Sequence, residues 1–264
     1  MPLLHDGAGA PARHIDRSGG LGLRLARYAW FVSPVGIRGT PHTWTRGLLR
    51  CGVAAGPVFV TVFLLEGAAR DGYRPLRHPV SSLALGPRGW VQTANFAVAG
   101  TLFLAAAAGL VRAGDAAASN RVAPALIGAA GAGLIGSAVF TTDPVSGYPP
   151  GTPDALTQPS AAGTAHNLTA IPVFLGLPAA ALVCGRRSWR AGQRGRALYS
   201  AGTAVTMLAT MALAGAGFGQ SPRLVSLGGL FQRVSIITGF TWLTATSAQA
   251  LRRTPTTAAP RDQA

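Results

Sequence analysis

The chain alternates between long apolar stretches and short polar ones, and the apolar stretches share one length. Six of them stand out: Leu48–Ala69, Trp90–Val111, Val122–Thr141, Ala165–Cys184, Ala197–Phe218 and Leu230–Leu251. Each runs about 20 residues, the length a helix needs to cross a hydrocarbon core of roughly 30 Å. The apolar residues do not alternate with polar ones, which excludes the strands of a membrane barrel. The stretches are also too long for a soluble protein, where a core helix rarely runs past about a dozen apolar residues. The pattern predicts an all-α fold: an integral membrane bundle of six transmembrane helices.

The flanks read differently. Residues 1–46 are rich in Arg, Gly and Pro and are expected to form a basic, disordered cytoplasmic head. The short apolar run Tyr28–Ile37 inside it, broken by Pro34, is too short to span; it reads as part of the disordered head, with a segment lying at the membrane interface as the alternative. The six-span domain is placed at 47–252, and a polar tail at 253–264 is expected to be disordered. Pro57 lies inside the first span, where a membrane helix tolerates it. Small-residue pairs four apart, Gly52 with Gly56, Ala129 with Gly133 and Ala132 with Gly136, predict close helix contacts.

Charge then orients the bundle. Of 264 residues only 12% are charged, and the net charge is +15 with no lysine. A basic balance of this kind can signal nucleic acid, but the arginines form no stripe with aromatics, so no nucleic-acid partner is expected. They cluster instead at alternate span ends: Arg46 and Arg50, Arg112 and Arg121, Arg186 through Arg196, and Arg252 with Arg253. The positive-inside rule then puts both termini in the cytoplasm of a multi-pass cell-membrane protein. The segment Arg70–Gly89 breaks this rule with Arg70, Arg74, Arg77 and Arg88 on the outer side. Ser81 and Ser82 are expected to cap a short surface helix there, with the arginines facing lipid phosphates or an acidic partner. Membrane lipids are the expected partners, and oligomerisation is left open.

The remaining polar residues gather at the outer span ends. Glu66 closes the first span, Gln92 and Asn95 open the second, and Asp143 follows the third. His166 and Asn167 open the fourth, and Gln232 and Arg233 open the sixth. Ionisable residues at membrane depth are expensive, so each is a candidate pocket or ligand-binding residue; His78, Ser81 and Ser82 join them from the loop. Each also has an ordinary structural reading. Asp143 precedes Pro144 and suits a turn, Glu66 and Arg233 suit an ion pair, and Gln92 with Asn95 suit hydrogen bonds between helices. A serine hydrolase would need Ser81 or Ser82, His78 or His166, and Asp143 to meet, but no GxSxG elbow supports it. A metal held by Glu66, His78, Asp143 and His166 lacks any paired-ligand spacing, and no nucleotide, haem or redox motif implies a cofactor.

One set of residues carries a resemblance. The run His78-Pro79-Val80-Ser81-Ser82-Leu83-Ala84-Leu85-Gly86, followed by Gly89-Trp90-Val91-Gln92 and Asn95-Phe96, resembles the bacterial multi-pass membrane family catalogued as domain of unknown function 998. So do Asp143-Pro144, Gly151-Thr152-Pro153, His166-Asn167 and Gly229-Leu230-Phe231-Gln232-Arg233. The resemblance covers about Leu48–Leu251. It implies six helical spans and no particular activity. Where other branches carry an acidic residue after the first serine, this chain has Ser82. The expected function is that of a membrane protein whose outward-facing polar pocket binds or moves a lipid or another amphipathic small molecule. The alternatives are a membrane-embedded hydrolase at the outer leaflet and a structural or assembly partner.

Overall fold

A computed structural model describes residues 41–114 and 121–256; most of the expected head and tail, with Tyr28–Ile37, lies outside them. The described residues form six long helices: α1 (Pro41–Ala68), α2 (Gly89–Ala113), α3 (Val122–Val139), α4 (Ala161–Arg190), α5 (Arg194–Phe218) and α6 (Gly228–Arg253). A short 3-10 helix, Val80–Ala84, lies between α1 and α2. Each long helix packs against the next, and α6 returns to α1, so the six close into a ring. The structure is an all-α membrane bundle.

Five of these helices, all but α6, are long and apolar enough to cross a membrane. The 26-residue α6 is long enough but less apolar. Its polar side chains are turned into the protein: Ser235 and Ser247 are fully buried, and Gln232 and Arg233 nearly so. A helix shielded by its neighbours can carry such groups, because protein atoms rather than lipid answer them. Ser235 Oγ donates to Met207 O of α5 at 3.1 Å, for example. Large apolar side chains such as Leu65, Val139 and Val205 face outward instead, as a lipid-facing surface requires.

Small residues set the helix spacing. A Cβ at Gly56 would lie 2.7 Å from Thr244 Oγ1 and 3.0 Å from the Phe240 carbonyl oxygen, so α1 and α6 meet nearly backbone to backbone. Gly133 and Gly136 meet Thr169 of α4 in the same way. Both contacts follow the small-residue pairs seen in the sequence. Pro57 has no N–H for the Val53 carbonyl one turn earlier; Thr244 Oγ1 approaches that oxygen at 3.4 Å instead. An aromatic core of Phe59, Phe63, Phe96, Phe103 and Phe240 fills the space between α1, α2 and α6.

The two ends of the bundle differ in charge. All four carboxylates among the described residues, Glu66, Asp71, Asp143 and Asp154, lie at the end formed by the segments 69–88, 140–160 and 219–227. The opposite end carries eleven arginines and no described carboxylate. Replacing Gly56 with leucine is expected to force α1 from α6 and cost at least about 1–3 kcal/mol. Thermal unfolding in detergent, with the lipid-facing Leu65→Ile as control, measures this; an unchanged midpoint would show that the helices do not meet there.

Candidate functional site

The acid-containing end is held by three networks, and two of the sequence candidates, Glu66 and Arg233, lie at the centres of two of them. Glu66, near the end of α1, is buried between two arginines. Its Oε2 accepts from Arg70 Nη2 at 2.8 Å, and its Oε1 accepts from Arg88 Nη2. Arg70 also donates to the carbonyls of Leu85 and Leu83. The segment from α1 to α2 is therefore clamped at both its ends by one carboxylate. The expected pairing of Glu66 with Arg233 does not occur, because these nearer guanidinium groups occupy both carboxylate oxygens.

Arg233 finds neutral oxygen instead. Its Nη1 donates to the carbonyls of Pro75, His78 and Gly229, and its Nη2 to the Tyr73 hydroxyl. Tyr73 in turn donates to Pro79 O at 2.8 Å. The same segment caps α6: the free N–H groups of Gly229 and Leu230 donate to the carbonyls of Arg77 and Leu76 at 3.1 and 2.9 Å. Gly229 is required there, since a Cβ would collide with the His78 and Pro75 carbonyls. Arg77 reaches across to Asp154 Oδ1 at 2.7 Å and to Ser146 O at 3.1 Å, and Gln220 holds the same two residues from the third segment.

These contacts engage three of the loop arginines at this end within the protein. Of the loop arginines expected to suit lipid phosphates or an acidic partner, Arg77 and Arg88 are engaged by carboxylates and a carbonyl of the chain itself, while the Arg74 side chain is exposed. Ser81 and Ser82 were expected to cap the short helix. Pro79 precedes it with no side-chain cap, and Ser82 lies inside it, fully buried. A proline already holds the extended backbone that a capping serine would adopt.

The other candidates have local roles. Asp143 accepts from Ser160 N at 2.9 Å at the start of α4, where a carboxylate suits the helix dipole. Ser160 Oγ completes this cap by accepting from Gly163 N. Asn95 Nδ2 donates to Phe59 O at 3.1 Å and approaches Gln92 Oε1 at 3.4 Å, joining α2 to α1. His166 Nδ1 lies 2.8 Å from Phe140 O. A carbonyl only accepts, so Nδ1 carries the proton and Nε2 is an acceptor in the neutral ring.

Four candidates share one cavity. Ser81, His166, Asn167 and Gln232 line a space of about 410 Å³ between the helices, together with Ser137 and Thr142. Its deeper wall is apolar, formed by Phe59, Phe96, Leu134, Val173, Ile236 and Phe240. Gln232 and Phe240 lie eight residues apart on α6, so the space reaches about 12 Å into the bundle. Gln232 Oε1 accepts from Val80 N at 2.7 Å, fixing the short helix over the cavity. Glu66, His78, Ser82, Gln92, Asn95, Asp143 and Arg233 are not in its lining. Sequence reading missed Ser137 and Thr142, whose only signal was their place near the end of the third span. It also missed Tyr73, Tyr148 and Asp154, whose partners come from distant segments.

His78 is buried in the loop against Tyr73 and Tyr148, and its Nδ1 accepts from Arg74 N at 2.9 Å. Burial, with the Arg77 charge adding to it, pushes its pKa down from the ordinary 6.5 to about 4. The unfolded chain thus binds a proton before the folded one does. His78 therefore contributes stability that is full above pH 6.5 and lost as pH falls through about 4. His78→Gln keeps an acceptor for Arg74 but cannot titrate. Its unfolding midpoint is expected to fall less than the parent's between pH 6.5 and 4.5; equal slopes would show that His78 is not held neutral.

Residues 53–249, about three quarters of the chain, match the model of a family described as "Protein of unknown function (DUF998)". No curated protein and no solved structure matches the chain. The matched region runs from within α1 to within α6 and includes the whole cavity lining, so the chain belongs to this membrane family of unknown function.

Proposed function

We propose that the cavity at the acid-containing end holds a lipid or another amphipathic small molecule. The observation that carries this reading is the cavity itself: about 410 Å³, apolar in its depth and ringed by a few hydrogen-bonding groups near the loops. Ligand sites commonly have about 300–1,000 Å³ and this division between apolar walls and sparse polar groups. The eleven arginines at the opposite end favour a cytoplasmic position for that end. The cavity then faces outward.

The hydrolase reading has less support. Among the described residues, no hydrogen bond joins a serine hydroxyl to a histidine ring or a histidine to a carboxylate. The Nδ1 of His166 is held by a backbone carbonyl, and that of His78 by a backbone N–H. Asp143 is engaged at the start of α4.

Filling the cavity tests the proposal. Ala170 of α4 lines it, and Ala170→Trp is expected to reduce lipid carried through purification by about tenfold, a loss near 1.4 kcal/mol. Leu213→Trp, on the outer surface and outside the lining, should carry the parental amount. Native mass spectrometry reads the bound lipid, and thermal unfolding checks that each variant is folded. Equal lipid in a folded Ala170→Trp protein would overturn the proposal. Ester hydrolysis by the parent, abolished in Ser81→Ala with lipid binding kept, would replace it with the hydrolase.

A further inference from the structure

The cavity has a weak side. Pro172 begins a π-helical turn in α4, Pro172–Gly176, where a proline removes a backbone donor and bends the helix. After this turn, the Leu177–Arg190 half of α4 packs closely along α5. Before it, the Ala161–Ile171 half packs on α3 instead. The gap that results is lined from both sides by residues that also line the cavity: Ile171 and Leu175 on α4, Met211 and Phe218 on α5. Ile171 is 47% exposed and Leu175 58%. Side chains that line the cavity are thus also exposed on the lipid-facing surface here.

The position and chemistry of the gap narrow the ligand. Leu175 stands midway along the 30-residue α4, so a gap at this level opens into hydrocarbon rather than at the headgroups. No arginine, aspartate or glutamate lines the cavity. A charged head drawn into it would lose water without gaining a counter-charge, which is costly. A hydroxyl or amide head would find Ser81, Thr142 and Gln232. The volume lies at the lower end of the ligand-site range, which favours one alkyl chain over two.

Resting on the reading of the cavity as a ligand site, we infer that the gap between α4 and α5 is a lateral portal. A single-chain lipid with an uncharged, hydrogen-bonding head, of the monoacylglycerol or long-chain alcohol class, enters through it from the bilayer core. The head lies toward Ser81 and Gln232, and the chain lies along Phe240 and the gap. Leu175 is the side chain best placed to narrow the passage.

The test uses the full chain in phosphatidylcholine vesicles and a monoacylglycerol with a photoreactive diazirine in its chain. Mass spectrometry locates the label. Labelling is expected at cavity residues such as Phe96 and Ile236. Leu175→Trp should slow its appearance by about tenfold without moving the unfolding midpoint. Leu175→Ala, which widens the gap, should speed it, and this arm decides if the tryptophan variant does not fold. Unlabelled monoacylglycerol should compete about tenfold better than anionic lysophosphatidylglycerol of the same chain length. Interior labelling at a rate unaffected by either Leu175 variant would overturn the portal while leaving the cavity reading intact. Equal competition by the anionic lipid would overturn the neutral-head assignment. Label confined to the outer surface would overturn the cavity reading and the portal together.

Discussion

Arg233 carries a positive charge at a position only 6% exposed, and one end of the bundle is arranged to answer it with oxygen. No carboxylate pairs with it among the described residues. Backbone carbonyls of Pro75, His78 and Gly229 and the hydroxyl of Tyr73 surround the guanidinium. Removing a charge from water is expensive, and enough well-placed acceptors offset that cost. Meeting this requirement draws the segment after α1 across the start of α6. There its carbonyls also satisfy the first N–H groups of that helix. One buried cation thus decides where the loop lies, and the loop decides what covers the cavity.

Several other charges of this end are also compensated within the chain. Glu66 holds Arg70 and Arg88, and Asp154 holds Arg77. Such compensation keeps these arginines engaged within the protein. It also leaves the cavity wall without charged carboxylates or guanidinium groups. The polar groups left to a ligand are hydroxyls, amides and one imidazole, and this restricts its chemistry more than the volume does.

Much of the architecture was legible along the chain. The apolar runs predicted every long helix within a few residues at most ends, because a span must match the thickness of hydrocarbon. Gly52, Gly56, Gly133 and Gly136 announced the close contacts, because a missing side chain is the simplest way to bring two helix backbones together. The family was legible too, in the runs around His78–Gly86 and Gly229–Arg233. The site was legible only as a list of residues at one end of the bundle. Glu66 and Arg233 appeared as partners from charge alone, yet each found others nearer. Ser81 and Ser82 are adjacent, but one lines the cavity and the other is buried away from it.

The sequence by itself determined the helical membrane fold, its small-residue seams and the end at which polar groups gather. These depend on length, periodicity and composition, all of which act locally along the chain. Only the tertiary structure decided which polar groups meet. That depends on angles and distances between helices far apart in sequence, such as the 2.7 Å contact from Val80 N to Gln232 Oε1. It depends also on the π-helical turn at Pro172–Gly176, before which α4 packs on α3 and after which it packs along α5. In the sequence this turn shows only as Pro172 and Pro178 within an apolar run. Which neighbour each half of α4 meets depends on where α3 and α5 lie, and that is set by contacts across the whole bundle.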